Sequence, residues 1–183
     1  MAEQRIIIAG FGGQGVLMLG KLLAHAGMIE GRQVTWLPSY GPEMRGGTAN
    51  CHVIISDATI GTPIVTEATG AIVMNLPSLD RYEQAVQPGG WLLVNSSLIP
   101  RAPSRRDVRF LPVPANDIAL RQGSPRVANV VMLGACLAAS QVVQKASIVA
   151  AIEDVLGASK QHLLAINLNA LEAGLAFAPP VAV

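Results

Sequence analysis

Residues 5–17 read Arg5-Ile6-Ile7-Ile8-Ala9-Gly10-Phe11-Gly12-Gly13-Gln14-Gly15-Val16-Leu17. The short, mainly apolar run Arg5–Ala9 reads as a strand buried on both faces. From about Gln14 to Glu30, Val16, Leu19, Leu23, Ala26 and Ile29 recur three or four residues apart, the mark of a helix with one buried stripe. Gly31 stops that helix, as a glycine just past a helix end does. Strand, glycine turn and helix, in that order, form the opening unit of an α/β domain.

The turn Gly10–Gly15 fits G-x-G-x-x-G in the context that the pattern requires, after a strand and before a helix. Gly10 allows a tight turn, Gly12 and Gly13 allow a ligand to approach the backbone, and Gly15 allows close helix–strand packing. Free N–H groups at the helix start then face an anion. Three readings stand at this point. The turn holds a nicotinamide dinucleotide; it binds nothing and is only compact; or it meets another anion, such as coenzyme A or a diphosphate, or a partner chain. A nicotinamide site places Asp or Glu at the end of the second strand. Here that strand ends Thr35-Trp36-Leu37-Pro38-Ser39, without an acid, which disfavours the first reading.

Outward from this unit, strands are predicted at Gln33–Leu37, Asn50–Ser56, Thr59–Val65, Ala71–Met74, Trp91–Asn95 and Val108–Val113. A short helix, Ser78–Val86, is capped by Ser78 and ended by Pro88-Gly89-Gly90. Later helices run over about Asn116–Arg121, Val127–Val143, Ser147–Leu156 and Ser159–Ala176. The last carries Leu164, Leu168, Leu171 and Leu175 along one side. Alternation early and helices late predict an α/β fold: one domain, 1–183, with an open, mostly parallel sheet, helices on both faces and a helical C-terminal part. With strand order 3-2-1-4-5, Asn75 would face the Gly10 turn, and Asn95 and Ser96 would line the same edge. Such residues also serve as simple turn formers. Pro179–Val183 reads as a frayed tail.

Of the 183 residues, 51% are hydrophobic and 14% charged, against about 25% charged in a typical soluble domain. Either the core is large or some surface is covered by another subunit. A net charge of +1 gives no nucleic-acid footprint. Cys51 and Cys136 stand alone, without CxxC, so neither a cluster nor structural zinc is expected. They read as buried thiols of a reducing compartment. The uncharged stretch between Arg126 and Lys145 is borderline for a membrane span and contains Asn129, Ser140, Gln141 and Gln144. It reads as a buried or interface helix, and the chain as cytoplasmic. Arg101, Arg105, Arg106 and Arg109 form either a basic patch for a phosphate or an acidic partner, or a solvated linker with Asp107. His25, His52 and His162 share no metal-ligand spacing. No nucleophile elbow, zinc helix or phosphate-loop lysine is present.

The loop Tyr40-Gly41-Pro42-Glu43-Met44-Arg45-Gly46-Gly47 leaves the second strand on the same side as the glycine turn. Arg45 can fork onto a phosphate or carboxylate, or Glu43 can neutralise it locally. With Gly-Phe-Gly-Gly-Gln-Gly-Val before it and Thr-Ala-Asn-Cys, Val-Ile-Ile-Ser-Asp and Ile-Gly-Thr-Pro-Ile-Val after it, this loop gives the chain its resemblance. From about Arg5 to Leu156 it resembles the gamma subunit of 2-oxoacid:ferredoxin oxidoreductases, which act on pyruvate, 2-ketoisovalerate or 2-oxoglutarate. A beta-type subunit of indolepyruvate oxidoreductases is similar.

The resemblance implies a Rossmann-like accessory subunit. The enzyme around it would decarboxylate a 2-oxoacid oxidatively with coenzyme A, giving acyl-CoA, carbon dioxide and reduced ferredoxin. Thiamine diphosphate, Mg2+ and iron–sulfur clusters would lie in alpha, beta and ferredoxin-like delta partners, with no nucleic acid or membrane involved. No catalytic residue or metal ligand is expected in this chain. The residues expected to meet a cofactor are Gly10, Gly12, Gly13, Gln14, Gly15, Tyr40, Arg45, Gly46, Gly47 and Asn75. The competing reading is a stand-alone nucleotide- or coenzyme A-sensing module.

Overall fold

The computed structural model describes residues 3–39 and 48–177. Its frame is a six-stranded sheet in the order β2-β3-β1-β4-β5-β6. The strands are β1 (Gln4–Phe11), β2 (Gln33–Ser39), β3 (Thr48–Ser56), β4 (Ala68–Val73), β5 (Val86–Asn95) and β6 (Arg109–Val113). β1, β4, β5 and β6 pair in parallel. β3 runs against both of its neighbours, β1 and β2.

The α/β class therefore stands, with a mostly parallel sheet, but the strand order does not follow the 3-2-1-4-5 expectation. The reason lies in chain length. Only eight residues separate β2 from β3, and a parallel crossover needs about a dozen or more. β3 accordingly folds back beside β2 and slots in between β2 and β1. Thr59–Val65 forms no strand; Gly61 and Pro63 fall in a run of bends. Pro88-Gly89-Gly90 lies inside β5 rather than ending a helix, where the β4–β5 register shifts between Ala68 and Gly70.

Six α-helices accompany the sheet: α1 (Val16–Ile29), α2 (Leu76–Tyr82), α3 (Ala115–Arg121), α4 (Ala128–Ser140), α5 (Lys145–Leu156) and α6 (Leu164–Phe177). The alternation of β-strand side chains divides the apolar residues into two layers. Ile6, Ile8, Cys51, Val53, Ile72 and Leu93 pack against the face covered by α1 and α3–α6. Ile7, Ala9, Ile54, Val73, Leu92 and Val94 pack on the other face with Leu79 and Tyr82 of α2. One face thus carries five helices and the other a single short one.

α1 starts two residues later than expected and ends where Gly31 takes the left-handed conformation, φ 71°. There the N–H groups of Gly31 and Arg32 close back onto Met28 O and Gly27 O. α2 is capped by Asn75, not Ser78: the Asn75 side chain accepts from Ser78 N at 2.9 Å. α4 is shorter than expected and buried along most of its length. No helix among the described residues is long and apolar enough to cross a membrane.

Before α6, a 3-10 turn takes up Ala158–Leu163. Of the expected leucine face on α6, Leu171 is fully buried while Leu164, Leu168 and Leu175 are half-buried. α6 meets α4 mainly through glycine. A Cβ on Gly134 would lie 2.2 Å from Leu171 O, and one on Gly174 would lie 2.0 Å from Val131 O.

Two arginines of the linker before β6 are neutralised locally. Arg101 pairs with Asp80 and Glu83, and Arg105 pairs with Asp107. Glu83, only 6% exposed, accepts from Ser104 N at 3.0 Å and Ser104 Oγ at 2.9 Å. These residues staple the linker to the end of α2, while Arg106 and Arg109 stay exposed without an acidic partner among the described residues. The tail 178–183 lies outside the described residues.

Candidate anion crevice at the glycine turn

The carboxyl ends of β1 and β4 lie side by side, and the chain leaves them towards opposite edges of the sheet. That switch point is where open α/β sheets place ligands. Gly10 is still part of β1, paired with Ala49. Its missing side chain leaves a hollow, which the Gln14 side chain enters: a Cβ on Gly10 would meet Gln14 Oε1 at 2.7 Å and Met74 Cβ at 2.8 Å.

Gln14 then bonds in three directions. Its Oε1 accepts from Phe11 N at 2.6 Å and from Asn75 Nδ2 at 3.4 Å, and its Nε2 donates to Met74 O at 3.2 Å. The sequence places Gln14 and Asn75 among ligand contacts; in the fold they stitch the first turn to the end of β4. The Phe11 N–H, one of the turn's donors, is occupied by this internal amide.

Beyond Gln14, Gly13 and Gly15 take positive φ values, 93° and 75°. Gly15 is the residue before α1, and Leu19 N bonds its carbonyl at 2.9 Å. A neighbour from a distant part of the chain, Asn129 of α4, donates from Nδ2 to the same carbonyl at 3.3 Å. A Cβ on Gly15 would meet that Nδ2 at 2.5 Å, whereas one on Gly13 would meet nothing within 4 Å. The two glycines serve different ends: Gly15 lets α1 and α4 close together, and Gly13, like Gly12, is exposed.

A crevice of about 190 Å³ opens here, lined by Gly13, Gln14, Met74, Asn116, Arg126 and Ala128. Arg126 is exposed and pairs with no carboxylate among the described residues. Asn116 accepts from Asn95 Nδ2 at 2.8 Å. Asn95 is fully buried at the end of β5, and its Oδ1 has no partner. Ser96 continues that edge, its N–H bonded to Val113 O.

Arg126, Asn116 and Asn129 are not among the site residues that the sequence suggests. The available signal was Ser124-Pro125, a helix-start pair; the Ser124 side chain accepts from Arg126 N at 3.3 Å.

Small-molecule pockets usually run to about 300–1,000 Å³. The crevice is below that range, so it suits a single phosphate or carboxylate rather than a buried nucleotide. Exposed turn N–H groups and Arg126 suit such an anion. Nicotinamide binding loses ground twice. β2 ends at Ser39 without an acid, and β3 stands between β1 and β2, in the place where the ribose-binding strand end would lie.

Tyr40, Arg45, Gly46 and Gly47 lie outside the described residues. Their anchors do not: Ser39 pairs with Asn50 and Thr48 pairs with Phe11. Both ends of the loop therefore leave the sheet at the same end as the glycine turn.

Other titratable groups serve the frame. His52 is half-buried, which lowers its pKa, and its Nδ1 accepts from Val65 N at 3.1 Å. His25 Nε2 meets Asp154 Oδ2 at 2.9 Å, linking α1 to α5. No group of three or more His, Cys, Asp or Glu suited to a metal exists among the described residues.

Cys51 and Cys136 are both fully buried, and desolvation pushes their thiols from the ordinary 9.0 up to about 12. Both should therefore resist a disulfide reagent at pH 8 in the native protein and react fully in guanidinium, as read by thiol titration. The unfolded chain ionises its thiols above about pH 9 while the folded chain holds them protonated. Their contribution to stability is thus complete below that pH and fades as pH rises towards 12.

Residues 5–177 match the family model described as pyruvate ferredoxin/flavodoxin oxidoreductase. The chain belongs to this family. It is 42% identical over 177 residues to the ketoisovalerate oxidoreductase subunit VorA of Methanothermobacter thermautotrophicus, covering 96% of this chain and 36% of that protein. To the 2-oxoglutarate synthase subunit KorC of Methanocaldococcus jannaschii it is 33% identical, covering 90% and 91%.

Among solved structures, the gamma subunit of a keto/oxoacid ferredoxin oxidoreductase from Geobacter sulfurreducens superposes with a TM-score of 0.82 at 30% identity, covering 96% and 98%. The chain spans about a third of the length of the ketoisovalerate oxidoreductase subunits it matches. The indolepyruvate alternative is a more distant likeness, at 28% identity over 149 residues. The oxidoreductase family is thus the one that the loop and glycine-turn motifs indicated.

Proposed function

We propose that this chain is the gamma subunit, or gamma-like part, of a thiamine-dependent 2-oxoacid:ferredoxin oxidoreductase. The enzyme decarboxylates a 2-oxoacid oxidatively, transfers the acyl group to coenzyme A and passes electrons to ferredoxin. The observation that carries this reading is the likeness to a gamma subunit over nearly the whole of both chains. Residues 1–183 act as one domain, in the cytoplasm, alongside alpha, beta and ferredoxin-like partners. Those partners hold the thiamine diphosphate, Mg2+ and clusters.

The glycine turn supplies half of an anion site. Gly12, Gly13, Gly15 and Arg126 face a phosphate of coenzyme A, Gly10 and Gln14 set the shape of the turn, and Asn75 holds Gln14. Tyr40, Arg45, Gly46 and Gly47 contribute from the neighbouring loop. The identity to ketoisovalerate oxidoreductase is higher than that to 2-oxoglutarate synthase, so a branched-chain 2-oxoacid is the substrate to try first.

A tagged chain purified from its native cell should bring down a thiamine-binding chain and a ferredoxin-like chain. The recovered assembly should reduce a viologen dye only when both 2-oxoacid and coenzyme A are present. Recovery of the chain alone, with micromolar binding of coenzyme A or a dinucleotide, would favour the sensing module instead.

A further inference from the structure

A second cavity lies in the thick helical layer, among α1, α4, α5, α6 and the 3-10 turn before α6. Its volume is about 350 Å³, far beyond the roughly 30 Å³ share of one water and within the range of ligand pockets, about 300–1,000 Å³. Close-packed interiors leave few voids larger than a water molecule, so a space of this size is not a packing defect. Met18 and Leu22 of α1, Val130 of α4, Ile152 and Val155 of α5, and Ile166 of α6 form apolar walls. Met18 remains 41% exposed, so the wall it belongs to reaches solvent.

Two cations line this apolar space, Arg126 and Lys160, and no carboxylate does. Arg5, Arg32, Arg101, Arg105 and Lys145 are each neutralised by an acidic partner. Arg126 and Lys160 have none among the described residues, and both side chains are exposed. The amides nearby are engaged, Asn129 with Gly15 O and Asn167 with Leu163 O. Apolar walls with unpaired positive charge at one side complement a molecule with a greasy body and an anionic head.

We propose that this cavity binds a medium-chain aliphatic monocarboxylate, its chain between α1, α4, α5 and α6 and its carboxylate on Arg126 and Lys160. The oxidoreductase reading does not require such a site, and Arg126 stands at the boundary of the two hollows, lining this cavity and the crevice at the glycine turn. The chain length follows from the volume, which suits a body of about eight to ten carbons. Burial of each methylene should tighten binding about threefold to fourfold until the cavity is full.

Octanoate titrated calorimetrically into the purified protein, in whatever assembly it is isolated, provides the test. Octanoate should bind at one site per chain, and butyrate at least about tenfold more weakly. Octanol, equal in length but neutral, should also bind at least about tenfold more weakly. The double variant Arg126→Ala/Lys160→Ala, altered only at exposed side chains, should keep its thermal midpoint and lose octanoate affinity by about tenfold or more. Val130→Phe, which fills the space, should abolish binding with the charges intact.

Equal binding of octanol and octanoate would overturn the proposal, as would octanoate binding untouched by the double variant. An absence of binding, whether the cavity stays empty or a neighbouring chain fills it, overturns it as well.

Discussion

Gly174→Val should lower the thermal midpoint of the protein by about 6–12 °C, as read by circular dichroism. On an open helix surface a substitution that removes glycine gains helix stability, up to about 1 kcal/mol for alanine. Here the sign reverses. The first added carbon would stand 2.0 Å from Val131 O and 3.0 Å from Ala135 N. Both are backbone atoms, so neither can move aside as a side-chain end would. α6 must lift off α4, which is buried along most of its length, and overpacking of this kind costs about 3 kcal/mol. For a chain of this size 1 kcal/mol corresponds to about 2–4 °C.

Gly134→Leu should do the same from the other side of the crossing, because Leu171 O lies 2.2 Å from its would-be Cβ. Gly61→Ala, with nothing within 4 Å and no positive φ, should leave the midpoint nearly unchanged. A midpoint that holds in Gly174→Val would mean that the two helices are further apart than described.

The glycine turn gives the second large effect, and there structure and ligand can be separated. Gly15→Val combines a φ of 75° with a collision against Asn129 at 2.5 Å. It should cost about 3 kcal/mol or more, through left-handed strain of about 1–2 kcal/mol plus overpacking. Soluble expression of the assembly should suffer.

Gly13→Ala meets open space and carries only the strain term of about 1–2 kcal/mol. In the assembled enzyme it should leave subunit recovery intact while raising the KM for coenzyme A by about tenfold, because the added methyl holds the phosphate off the turn's N–H groups and weakens about one charge-assisted contact. An unchanged KM for coenzyme A would remove the anion role from this turn and leave it a packing device.

Much of the fold was open to a reading of the sequence alone. β1, the turn and α1 were legible because local signals agree there: an apolar run, glycines, a stripe of period three to four, and Gly31 as a stop. The late helices were legible for the same reason. Strand order was harder, because Gln33–Ser39 and Thr48–Ser56 have the same apolar character whichever lies next to β1. The deciding fact, an eight-residue connection, constrains direction rather than composition.

At the site, the glycines announced themselves. Arg126, Asn116 and Asn129 come from elements more than a hundred residues later and meet the turn only through tertiary packing. Gln14 was noticed, but nothing local says that its amide folds back onto Phe11 N and Met74 O. Side chains that fill a hollow left by a glycine are visible only when both are in place.

The two outermost strands bear on how this protein meets others. Among the described residues β2 and β6 each have one flank without a neighbouring strand, a place where a foreign strand could zip on and start aggregation. Each carries a proline as its second-to-last residue, Pro38 opposite Cys51 and Pro112 opposite Val94. Proline has no N–H to offer and is tolerated in a sheet only where the ladder asks for none, on the outward side of an edge. The row of outward donors is therefore broken on both flanks. Strand-to-strand addition is thereby disfavoured at both edges of the sheet. Association is left to its helical faces and loop ends, where geometry can choose the partner.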